Sequence, residues 1–276
     1  MTDTGRVTMS EHPIRRFVND HPMVTFVVLA YAFSWMTIPI VGGPIGSGPF
    51  FAAIVVLSLT QGWPGVRSLG RQMIKWRVNW RWYAFAILLP TVTAAAAAVI
   101  AIALGADTPS SDQVDQWVEF PINLMVFLLL PLFGPWEEPG FRGYAFTRLT
   151  QTQSVLTAAL VVGVIQVFWH TPLFFTGEIP VSDVVWIMAA GPVFAYLVIR
   201  SGGSVLLAML MHATNNAVSG EYVTSLFSGN DVELQGWVRA TMWCVIAIVV
   251  VLLAGRSFTT RPLPDQSPVE PVLGQA

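Results

Sequence analysis

Eight long apolar runs follow one another along this chain, and they limit what it can fold into. They cover residues 22–41, 47–62, 81–104, 120–149, 153–171, 183–200, 203–220 and 236–255. A helix needs about 20 mainly apolar residues to cross a bilayer core roughly 30 Å thick. In lipid every backbone polar group must be satisfied within the protein, and runs of this length meet that demand as helices. The chain is 54% hydrophobic and only 11% charged, against about 25% charged in soluble domains. The expectation is an all-α polytopic membrane protein with about eight transmembrane helices.

Loop charges test that count. Arg6, Arg15 and Arg16 precede the first run, and Arg67, Arg71, Lys75, Arg77 and Arg81 lie between the second and third. Arg148, Arg200, Arg256 and Arg261 mark the later turns on the same side. The opposite turns carry Asp107, Asp112, Asp115 and Glu119, then Glu178 and Asp183, then Glu221, Asp231 and Glu233. Basic loops stay in the cytoplasm, so both termini are expected there. The expected layout is a cytoplasmic segment 1–21, a helical domain 22–255 and a polar, Pro-rich, disordered tail 256–276. The first run is too long for a signal-peptide core and reads as a retained helix.

Other features narrow the reading. A net charge of -2 argues against a nucleic-acid partner, and the single cysteine, Cys244, excludes an intrachain disulfide. Residues 63–81 mix Trp63, Trp76 and Trp80 with basic side chains, a pattern that suits an interfacial amphipathic helix or a basic loop that only sets topology. Ala94–Ala98 offers a small-residue face for close packing. The fourth run is too long for one straight span, and Pro131, Pro135 and Pro139 predict a break within it.

That broken run carries Glu137, Glu138 and Arg142. Ionisable side chains in a membrane are expensive and mark functional sites by default. Two of the four histidines, His170 and His212, also sit in apolar runs. Counted from the turn at Thr150–Gln153, Glu137 lies about 20 Å and His170 about 26 Å along their helices. In the seventh run His212 lies about 14 Å in and Asn216 about 20 Å in. The helices thus bring these groups to a similar level. Consecutive residues diverge by about 100° on a helix, so Glu137 and Glu138 face different partners. Glu138 and Arg142 are spaced to pair at i,i+4, as are His212 and Asn216.

Water activation fits this set. A buried carboxylate can act as general base. A neutral histidine can orient the water or bind a metal, and an imidazole beside an Asn amide can donate to a developing oxyanion. Glu137, His170 and His212 could also supply three ligands to a divalent metal such as zinc, although the sequence lacks a His-Glu-x-x-His helix. Two other readings fit the spacing: a purely structural polar cluster in a scaffold protein, and an ion-coupled transporter using a Glu–His relay.

Three stretches resemble the motifs of the CPBP intramembrane metalloproteases. This family includes the CAAX prenyl proteases and the bacteriocin-processing or self-immunity (Abi) proteins. The stretches are Glu137-Glu138-x-x-x-Arg142, His170 within Phe168-Trp169-His170-Thr171-Pro172, and His212-x-x-x-Asn216. The resemblance covers residues 120–220. It implies a membrane endopeptidase with Glu137 as the base, His170 assisting, His212 and Asn216 at the oxyanion, and Glu138 and Arg142 in support. It also implies a peptide or protein substrate, lipidated in some members and cleaved on the cytoplasmic side, with membrane lipids as surroundings. A catalytically silent immunity or scaffold protein of the same fold is the alternative. The cell membrane is the expected location. One departure is Gln166, where members often carry an aromatic residue; one turn before His170, it could hydrogen-bond the imidazole or alter the pocket.

Overall fold

The computed structural model describes residues 13–261. The expected N-terminal segment before Pro13 and the expected tail after Arg261 lie outside the described residues. Within them all regular elements are helical. Five stretches are long and apolar enough to cross a membrane: Pro22–Val41, Trp80–Ala103, Ser111–Glu137, Ser182–Arg200 and Asn230–Ala254. The chain is an all-α integral membrane protein.

Each expected run contains a helix, with changed ends. Helix α1 is Pro13–Asp20 and α2 is Pro22–Trp35. A short turn of helix, Ile38–Val41, completes the first run beyond α2. Helices α3 (Gly48–Thr60) and α4 (Trp63–Met73) follow, then α5 (Trp80–Ala103). The amphipathic helix is therefore only α4, and residues 74–79 leave it before Asn79 caps α5 through the amide of Arg81. Helix α10, Asn230–Ala254, starts well before the expected residue 236. Asp231 and Glu233 lie in its first turn, where carboxylates favour the positive end of the helix dipole.

The fourth run breaks as its prolines require. Helix α6, Phe120–Leu129, stops where Leu130 turns extended (φ -89°, ψ 122°) ahead of Pro131, because the proline ring disfavours helical backbone in the residue before it. The chain resumes as a 3-10 turn over Gly134–Glu137 and a π-helix over Pro139–Phe146. Pro139 is tolerated at the start of that helix, where an amide hydrogen has no partner to lose. The freed backbone is re-satisfied locally. Gly46 N–H donates to Leu132 O at 2.9 Å, and Trp136 Nε1–H donates to Leu128 O at 3.2 Å.

Helices α7 (Val155–Trp169), α8 (Ser182–Arg200) and α9 (Val205–Asn215) complete the bundle, and α9 continues as a second π-helix over Asn216–Val223. Helix α2 packs on α3, and α8 packs on both α7 and α10. The end of α7 is tied to α2 by three hydrogen bonds. Tyr31 OH donates to Ile165 O at 2.6 Å, Trp35 Nε1–H to Trp169 O at 3.0 Å, and Trp169 Nε1–H to Ser34 Oγ at 3.0 Å. These bonds hold the residue that follows Trp169, His170, on the cavity wall, and a further turn and a half of helix, Thr171–Thr176, follows it. The small-residue face of α5 is used as expected: Ala94, Ala97 and Ala98 are buried, with α5 against the second π-helix.

Candidate active site

The site forms where the broken fourth run meets the ends of α7 and α9. Glu137 ends the 3-10 turn, Glu138 and Arg142 straddle the start of the first π-helix, His170 caps α7, and Asn216 opens the second π-helix. All six expected residues line one cavity of about 380 Å³. Glu137, Glu138, Arg142 and His212 are buried, while His170 and Asn216 are partly open to the cavity.

The adjacent glutamates do separate. Glu138 faces Arg142, with Arg142 Nε 3.2 Å from Glu138 Oε2. Its other oxygen, Oε1, accepts a hydrogen bond from His212 Nδ1 at 2.7 Å. Arg142 also lies over the ring of Phe194, 4.7 Å from its centroid, and Phe194 meets the edge of His212. A buried carboxylate with two cationic or polar partners is stable where an isolated one is not. Glu138 therefore anchors both Arg142 and the imidazole, and the bond to His212 crosses 74 residues of chain.

Glu137 meets a different partner. Gln166 Nε2–H donates to Glu137 Oε2 at 3.3 Å. The main-chain carbonyl of the same Gln166 accepts from His170 Nδ1 at 2.7 Å. Because a carbonyl can only accept, Nδ1 carries the hydrogen, and Nε2 of neutral His170 is a free acceptor. Of the two roles open to Gln166, its side chain takes the second: the bond to the imidazole comes from the backbone, and the amide shapes the pocket by serving the carboxylate.

Gly134 shows what the remaining atoms face. A methyl group placed on its α-carbon would stand 2.7 Å from His212 Nε2, 3.0 Å from Asn216 Nδ2 and 3.2 Å from Glu137 Oε1. A carboxylate oxygen, an imidazole nitrogen and an amide nitrogen therefore converge closely on the α-carbon of Gly134. No spacing rule pointed to Gly134, because its role is the room it leaves. Asn215, also on the cavity wall, holds Asn216 through a side-chain bond of 3.4 Å.

Metal binding makes a different demand. Among the described residues no group of three or more His, Cys, Asp or Glu side chains is placed to hold a metal ion. Glu137, His170 and His212 are thus not placed as a three-ligand set, although Glu138 and Gln166 hold only the Nδ1 atoms of the two imidazoles, and a metal-binding histidine commonly has its second nitrogen held in this way.

Residues 117–218, the stretch that carries every residue of this site, match the model of the type II CAAX prenyl endopeptidase Rce1-like family. The chain is also similar to CAAX prenyl protease 2 of Methanococcus maripaludis. The two are 25% identical over 142 residues, 45% of this chain and 52% of that protein. The match thus spans about half the length of that curated relative. Together the findings support the CPBP/CAAX protease family for this chain.

Proposed function

We propose that this chain is an intramembrane endopeptidase resembling the CAAX prenyl proteases, and that it hydrolyses a peptide bond with water activated by Glu137. The observation that carries this reading is the convergence of Glu137 Oε1, His212 Nε2 and Asn216 Nδ2 beside Gly134 on the wall of the cavity. A water held in the cavity against these atoms gives its proton to Glu137 and attacks the scissile carbonyl carbon. The carbonyl oxygen becomes an oxyanion facing the Asn216 amide and His212 Nε2. With Nδ1–H donated to Glu138, Nε2 donates only from the doubly protonated ring, and Glu138 lies where it balances that charge. The proton held by Glu137 then passes to the leaving nitrogen as the C–N bond breaks. His170 Nε2 is free to accept from water and steady it. No step needs a metal ion.

The substrate is a peptide or protein segment, lipidated or not, in contact with membrane lipids, and the cell membrane is the proposed location. The decisive variant is Glu137→Gln, which removes the base with little change of shape. Cleavage of a quenched peptide should fall by about 10²- to 10⁴-fold, the usual contribution of a general base, while thermal unfolding in detergent is retained. Full activity in this variant would refute the assignment.

The second reading is a catalytically silent scaffold. The observation that favours it is the buried Glu138–Arg142–His212 network, which is complete as packing without any chemistry. A purified chain that binds but never cleaves peptides, with or without Glu137, would support that reading.

A further inference from the structure

The two ends of the bundle are chemically different, and the chain connects them in strict alternation. At one end lie the connections that carry basic residues. Lys75 Nζ donates to Gly202 O, and Ser204 Oγ–H donates to Lys75 O at 2.8 Å, so the α4–α5 and α8–α9 connections touch. At the other end the acidic connections touch each other. Asp107 N–H donates to Asp231 Oδ2 at 2.9 Å, and Tyr222 OH donates to Val114 O at 2.6 Å.

The cavity reaches only one of these ends. Beyond the catalytic groups its wall is built from Pro44 and Gly46 of the α2–α3 connection, Glu178 and Asp183 before and at the start of α8, Glu221 of the second π-helix, and Arg239 of α10. All belong to the acidic end. No lining residue comes from residues 61–79, 148–154, 200–204 or 255–261, which make up the basic end. The basic connections stay in the cytoplasm.

We propose that the chamber takes its substrate from the non-cytoplasmic face of the membrane, through the mouth framed by these residues. This rests on the endopeptidase reading above, and it departs from the cytoplasmic cleavage that the family resemblance implies. The mouth also bears on the kind of peptide admitted. Arg239 is buried and paired with Asp183, so Glu178 and Glu221, both exposed, leave the rim with an excess of negative charge. A free C-terminal carboxylate is repelled there, whereas an internal segment with a basic flank is drawn in. The proposed substrate is accordingly a segment of a secreted or membrane protein exposed on the outer face.

Single cysteines test the side of access without using catalysis. In a Cys244→Ala background, Glu178→Cys and Glu221→Cys should react with a membrane-impermeant maleimide on intact cells to the same extent as after permeabilisation. Arg71→Cys and Thr152→Cys should react only after permeabilisation. The reverse pattern, or labelling of Glu178→Cys and Glu221→Cys from the inside alone, overturns the proposal. If a cysteine variant fails to accumulate, a phosphatase that is active only outside the cytoplasm gives the orientation independently. It should be active when fused after Ser228 and inactive after Thr152, and the opposite result overturns the proposal equally. Outside labelling of a protein that never cleaves peptides would reject the endopeptidase reading and leave the orientation standing.

Discussion

Two adjacent glutamates divide the work of this site, and their substitutions should fail in different ways. Glu137→Gln is expected to lose turnover and keep its fold. Glu138→Ala would leave Arg142 and His212 buried without their partner, and breaking a buried pair by removing one member costs about 3–5 kcal/mol. The expected outcome is a large drop in the unfolding midpoint, measured by thermal or denaturant unfolding in detergent. Gln166→Met removes a side-chain donor to Glu137 but keeps the backbone carbonyl that orients His170. A hydrogen bond to a charged group contributes about 1.5–3 kcal/mol. Turnover should therefore fall by about tenfold or more with KM little changed, read from steady-state kinetics. The Glu138–Arg142 pair was legible in the sequence because i,i+4 spacing on one helix dictates it. The Glu138–His212 bond was not, because no local rule relates residues on separate helices. Gln166 stood out as polar among apolar neighbours, yet the sequence could not say whether its side chain or its carbonyl would meet the histidine.

Elements rather than single residues set the shape of the chamber. Both π-helices carry site residues, Arg142 in the first and Asn216 in the second. Such wide turns are rare and concentrate at functional sites. The first π-helix sits tightly on α3: a methyl group on Gly140 would collide with the backbone of Pro49, whereas one on Gly70 would meet nothing within 4 Å. Overpacking of this kind costs typically 1–3 kcal/mol. Gly140→Ala should lower the unfolding midpoint, while Gly70→Ala in α4 should leave it unchanged or raise it slightly through better helix propensity. The break at Leu130 was readable from Pro131. The π-helices were not, because a change from i→i+4 to i→i+5 bonding over eight residues leaves almost no mark on the apolar periodicity. The early start of α10 was hidden for a simpler reason: Asp231 and Glu233 look like loop residues to a hydropathy scale and like first-turn residues to a helix dipole.

At the scale of the whole molecule, the described residues gather no three-ligand set for a metal ion. Peptide cleavage is accordingly expected to persist after dialysis against a strong chelator, with metal content followed by elemental analysis; loss of cleavage restored by zinc would show a ligand set assembled only with substrate. The break in the fourth run has a separate consequence. Residues 130–133 belong to no regular helix, and irregular backbone at membrane depth is tolerated only where protein or a water-filled cavity surrounds it. Leu132, Phe133 and Gly134 line the chamber. The interruption that shapes the chamber therefore depends on the chamber for its own solvation, and the two stand or fall together.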